Sequence, residues 1–268
     1  MLRAAKASPE IAALHDKEGW LALYTHDAIV EDPVGTAPAR RGRREGRNGD
    51  ELGRFYEAFI AASAIEIEPK REIVSDTNVF RAVTIHTRNL QTGLKMEVPA
   101  NLLYNVVTRD GQLKIQRMQA HWEMSRMSRS VMASGLMGMR TIAFMNWRML
   151  RAFGFRWLMG YFQASQQGVG RAGKALVEQL VTEIGGGSPE ALFTEDATVE
   201  LPGGATTAPF TFIQGCTELS VQDLIASGPT VSGLASIDWG GRLRNAAFVA
   251  ELVEKGPRVK RLRVFWEG

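Results

Sequence analysis

The sequence predicts an α+β protein built as two tandem domains of one fold. Three observations predict it. The segment "ALYTHDAIVEDPVG" (22–35) returns as "ALFTEDATVELPGG" (191–204), with nine of fourteen positions identical. The segment "IQRMQAHWE" (115–123) returns as "VKRLRVFWE" (259–267). Within the first half, helical spacing gives way to a run of period-two segments, the pattern of helices packed on an antiparallel sheet. The two pairs are offset by 169 and 144 positions, so the second copy is about 25 residues shorter between landmarks. Repeats of this length are whole domains. The chain divides into residues 1–124, a connecting segment 125–169, and a shortened second copy 170–268.

In the first copy, Ser8-Pro9-Glu10 reads as a helix start, with Ser as cap and Pro in the first turn. Asp16 caps a second helix that runs to about Tyr24. "AIVED" is a short strand. "DELGRFYEAFIAAS" has helical spacing at Leu52, Phe55, Tyr56 and Phe59. "AIEIE", "VFRAVTIHT", "MEVPANLLYNVV" and "LKIQRMQAHW" then alternate as strands, and Thr92-Gly93 and Asp110-Gly111 supply hairpin turns. In "AIVEDPVG", Ala28, Val30 and Asp32 share one face, while Ile29, Glu31 and Pro33 share the other. A carboxylate in line with Ala and Val points toward an apolar cavity, where burial raises its proton affinity. The competing role for Asp32 is a hydrogen bond to the turn at Pro33.

Composition is that of an ordinary globular protein, at 45% hydrophobic and 23% charged residues. A net charge of +3 implies no polyelectrolyte partner. The single cysteine, Cys216, suits a cytoplasmic setting. No cofactor is implied: no phosphate-cradling glycine loop is present, and His15, His26 and His86 lack metal-ligand spacing.

The connecting segment is unusual. Residues 124–163 hold eight of the eleven methionines and no Asp or Glu. Arg140, Arg148 and Arg151 fall within about 80° of each other on a helix. Two readings stand open: a helix lying on an anionic membrane surface through 131–163, or one packing on the domains or a second subunit.

"YTHDAIVEDPVG", "RFYEAF" and the final strand "MQAHW" resemble the ketosteroid isomerase and SnoaL-like branch of the nuclear-transport-factor-2-like superfamily. That resemblance covers most of residues 8–124. It implies a cone-shaped, strongly curved antiparallel sheet around helices with a deep apolar pocket. It also implies that Asp32 is the general base of a steroid delta-isomerase-like intramolecular oxidoreductase, moving a proton in a steroid-like or other apolar ketone. The family's oxyanion donors, a Tyr and a protonated Asp, fall on Ser8 and Asn105 in gapless counts. The expected catalytic set is Asp32, Asn105 and Tyr56. Tyr24, Trp122, Met118 and Phe55 are expected to contact substrate, and His121 should point away from Trp122. Alternatives are a non-catalytic binder of apolar ligands, or a cyclase, dehydratase or epoxide hydrolase of the same fold.

The arginines of "ARRGRREGRNG" (Arg40, Arg41, Arg43, Arg44, Arg47) read as a solvated loop or as a rim that attracts an anionic tail. No aromatic residues interleave with them, so nucleic acid is not expected. In the second copy Leu201 replaces Asp32, so that domain is expected to be structural. It would serve as a built-in pseudo-dimer partner, with a homodimer as the alternative.

Overall fold

The computed structural model describes residues 1–42, 50–184, 189–253, 256 and 258–267. The fold is two tandem cone-shaped α+β domains. In the first, α1 (Leu2–Ala13) and α2 (Lys17–Ala22) precede β1 (Tyr24–Glu31) and the short β2 (Ala39–Arg40). Next come α3 (Glu51–Phe55), continued by a π turn (Tyr56–Ile60), and the meander β3 (Ser63–Ser75), β4 (Asn78–Asn89), β5 (Lys95–Arg109) and β6 (Gln112–His121). Asp16 caps α2 and accepts from Gly19 N at 2.9 Å; Asp50 caps α3 through Leu52 N at 3.1 Å.

Helices α4 (Met124–Ala133), α5 (Gly135–Phe153) and α6 (Phe155–Gln166) follow. Gly154, at φ 85°, breaks the chain between α5 and α6, a conformation that favours glycine. The second domain holds α7 (Gly170–Ile184), β7 (Phe193–Glu200), β8 (Thr206–Thr207), α8 (Pro209–Gly215), β9 (Cys216–Ser227), β10 (Thr230–Trp239), β11 (Arg242–Leu252) and β12 (Val259–Trp266).

The strand orders are β2-β1-β6-β5-β4-β3 and β8-β7-β12-β11-β10-β9, the same topology twice. Neither sheet is wholly antiparallel: β1 pairs β6, and β7 pairs β12, in parallel. Each cone has its own core, one around Trp20, Leu52 and Val106 and one around Phe212, Val199 and Ile237.

Strand alternation gives each sheet a second apolar face, and these two faces meet. Phe80, Ala82, Ile73 and Leu103 pack on Leu234, Ala247, Val249 and Phe265, with the Phe80 and Phe265 ring centroids 6.4 Å apart. Polar contacts edge this seam: Asn101 Nδ2 donates to Ser232 Oγ at 3.1 Å, and Arg263 Nη2 to Gln119 Oε1 at 3.0 Å. His121 is fully buried here, 3.0 Å from Thr230 Oγ1, and burial pulls its pKa down to about 3.

One expected element differs. The first helix starts at Leu2, so Ser8 and Pro9 lie inside it. Pro9 has no N–H to offer the carbonyl of Ala5, and Arg81 Nη1 approaches that carbonyl at 3.4 Å instead. With that acceptor partnered, the helix tolerates the proline, and Ser8 is released from capping to face the interior.

Candidate active site

A hollow of about 460 Å³ occupies the open end of the first cone. Its walls come from α1, the π turn, β3 to β6, and the roof formed by α4 to α6. Most of the lining is hydrocarbon, including Phe55, Phe59, Ile65, Leu102 and Met149, and the volume suits a drug-sized ligand. A second, open groove of about 650 Å³ lies between the domains. Lysines 70, 95 and 174, Arg126, Glu97 and Glu123 give it a mixed-charge lining, unlike an apolar ligand site.

Asp32 follows β1, whose inward residues Ala28 and Val30 are buried and whose outward Glu31 pairs Arg117 at 2.8 Å. The Asp32 side chain therefore lines the hollow. Trp122, just past β6, donates Nε1–H to Asp32 Oδ1 at 2.6 Å. Burial raises the Asp32 pKa to about 6, and the indole hydrogen bond offsets part of the rise. The acid is mostly ionised at neutral pH yet close enough to it to take and return a proton.

Ser8, Tyr104 and Tyr161 are among the hydroxyl-bearing residues that line the same hollow. Ser8 Oγ lies 3.0 Å from Tyr24 Oη and accepts from Trp20 Nε1 at 3.2 Å. Tyr104 is buried, and burial pushes its pKa up to about 12; hydrogen bonds from Arg81 and Ser8 act in the other direction. Arg81 is itself buried, 2.9 Å from Glu72, which pairs Lys6 at 2.7 Å. Burial also raises the pKa of Tyr161, and the Asp32 carboxylate adds to the rise.

The residues named from the sequence divide as follows. Asp32, Trp122, Met118 and Phe55 line the hollow together. Tyr24 stands behind Ser8 and holds its hydroxyl. Asn105 is not at the site. It lies one residue beyond Tyr104, so alternation turns it outward, where it donates to Thr77 Oγ1 at 3.0 Å and Asn78 Oδ1 at 3.3 Å. Tyr56 packs on Trp20, 5.5 Å between centroids, and its buried hydroxyl has no hydrogen-bond partner. Neither residue is placed to hold a substrate oxygen.

Tyr104 and Tyr161 are site residues that the sequence reading does not single out. The alternation that placed Asp32 also sets Tyr104 beside Leu102 on the inner face, so a signal for it existed. For Tyr161 there was none, because its position depends on how α6 folds back. Of the arginine loop, Arg43, Arg44 and Arg47 lie outside the described residues. Arg41 donates to the backbone carbonyls of Leu21 and Tyr24.

Residues 6–118 match the SnoaL-like domain family. The N-terminal domain is SnoaL-like. No curated protein matches the chain. Similar solved structures include a Mycobacterium tuberculosis protein in complex with estradiol-17beta-hemisuccinate, 26% identical, covering 46% of this chain and 94% of that one, TM-score 0.38. A Delta 5-3-ketosteroid isomerase from Mycobacterium sp. is 25% identical, with coverage of 46% and 93% and a TM-score of 0.38. An epoxide hydrolase/cyclase-like enzyme of pyran ring formation in polyether salinomycin is 21% identical, with coverage of 46% and 90% and a TM-score of 0.37. Each likeness falls within one domain's length.

Proposed function

We propose that the SnoaL-like domain is an isomerase-like enzyme that shifts a proton, and with it a double bond, in a steroid-like or other apolar ketone. One observation carries the reading: a lone carboxyl, raised to about 6, stands in an apolar hollow beside buried phenol hydroxyls. Asp32 takes a proton from the carbon between the carbonyl and the C=C bond. The electron pair moves onto the ketone oxygen, and a hydroxyl of Tyr104 donates to that oxygen. The protonated Asp32 returns the proton to the far carbon of the dienolate, the carbonyl re-forms, and the double bond ends in conjugation. Trp122 holds the carboxylate through Oδ1 and leaves Oδ2 for the substrate. The second domain acts as a built-in partner, and the setting is cytoplasmic.

The test is conversion of a β,γ-unsaturated 3-ketosteroid, followed by conjugated-enone absorbance. Asp32→Asn should lower kcat by roughly 10²–10⁴-fold, the usual contribution of a positioned base. Equal turnover in that variant rejects the mechanism. A second reading, an apolar-ligand carrier, draws on the mutual satisfaction of Ser8 and Tyr24. Ligand-induced thermal stabilisation with no turnover would favour it.

A further inference from the structure

The roof over the hollow has a second side. On α5, Thr141 and Met149 are buried toward the first domain, with Thr141 Oγ1 2.6 Å from Thr92 Oγ1, and Gly138 is buried against Val131 of α4. Leu136, Met139, Ala143, Trp147 and Leu150 form the opposite stripe, with Arg140 and Arg151 at its edge, all within about 120° at roughly 100° per residue. Leu136 is 69% exposed, Trp147 53%, and Phe155 at the start of α6 67%. Trp147 and Arg151 are stacked, with the guanidinium 5.6 Å from the ring centroid. Arg129 and Arg156 are exposed on α4 and α6, and residues 124–177 contain no Asp or Glu. Helix faces of hydrocarbon and arginine, in a segment that itself carries no acid, complement an anionic lipid headgroup layer.

This surface also meets the entrance to the hollow. Met132, Ile142 and Phe162 line the cavity and are exposed as well, so the mouth opens among the apolar residues of the roof. We propose that the outer face of α5 and α6 seats on an anionic bilayer surface, with the cavity mouth at the headgroup–acyl boundary. A hydrophobic ligand then passes between bilayer and cavity without crossing bulk water. The ligand-transfer part rests on the apolar substrate proposed above; the docking part does not.

The experiment is co-sedimentation of the full chain with phosphatidylcholine vesicles, with and without phosphatidylserine, and with no substrate present. Binding should favour the anionic vesicles and weaken as salt rises. Leu136→Gln with Trp147→Gln should lower partitioning by about tenfold or more. Arg140→Gln with Arg151→Gln should lower it by about tenfold on anionic vesicles only. These positions are exposed, so thermal melts should match that of the parent chain. Asp32→Asn should bind vesicles like the parent, which separates failure of docking from failure of the isomerase reading. Absence of binding to anionic vesicles overturns the proposal. So does a self-associated species in light scattering that the Leu136/Trp147 variant dissolves, which would assign the face to a second copy of the chain.

Discussion

Asp32 and Leu201 occupy the same place after the first strand of their sheets, and their surroundings differ in kind. Asp32 accepts a hydrogen bond from Trp122 at the edge of a hollow. Leu201 packs against the second core, where the matching tryptophan, Trp266, lies 6.3 Å from Trp239, which stacks on Phe212 at 5.4 Å. In one domain the indole N–H serves an acid; in the other the indole is part of an aromatic stack. One topology therefore presents either an acid beside a hollow or a hydrocarbon against an apolar core, depending on a few inward side chains.

The second domain still bears on the first one's site. Ser227 Oγ donates to Val34 O at 3.0 Å, and Gly35 meets Gly228 so closely that a Cβ on Gly35 would lie 2.5 Å from the Gly228 Cα. Both glycines have positive φ. The turn after Asp32 is thus held by the β9–β10 turn of the other domain, which fixes where the carboxyl points.

The largest effect expected from breaking the contrast is on chemistry. Tyr104→Phe should cost on the order of 10²–10³-fold in kcat, as loss of an oxyanion donor does, with a much smaller change in ligand affinity. Steady-state kinetics beside a binding titration check this. A kcat within a factor of about three would remove Tyr104 from the mechanism and move attention to Tyr161.

Next is the reverse exchange. Leu201→Asp places an acid against the second apolar core and should destabilise the chain by about 2–3 kcal/mol, from lost burial and unpaired charge. A thermal melt followed by circular dichroism measures it. An unchanged melting temperature would mean that the second cone has room to solvate a carboxylate, and the contrast between the two sites would fail.

Period-two alternation makes the sheets legible in the sequence, along with the inward aim of Asp32 and the opposed faces of His121 and Trp122. The repeat makes the tandem arrangement legible. Two kinds of information were not. Ser8-Pro9 looks like a helix start because the compensating donor, Arg81, lies over 70 residues away and no local signal announces it. The gapless count to Asn105 missed the inner face by one residue, and on a strand that is the whole difference between cavity and exterior. The roof was readable as amphipathic helix, but which cone it would cover depends on long-range packing of Phe59 with Trp157 and Tyr161, each 6.3 Å away.

A pH-dependent comparison of melting temperatures tests the hollow directly. Asp32 has a folded pKa of about 6 against an ordinary 3.8. The folded chain therefore holds this proton more tightly than the unfolded chain. The stability that the protonated acid confers is fully present below about pH 4 and is lost as pH rises through about 6. Above that, the ionised carboxylate costs up to about 3 kcal/mol. Asp32→Leu, which gives the first domain the residue of the second, removes the cost. Its melting temperature should exceed the parent's at pH 8, and the excess should shrink steadily between about pH 6 and pH 4. A gain that does not vary with pH would show hydrocarbon packing alone. The acid would then have its ordinary proton affinity, and the two cones would differ in shape but not in the electrostatics that proton transfer needs.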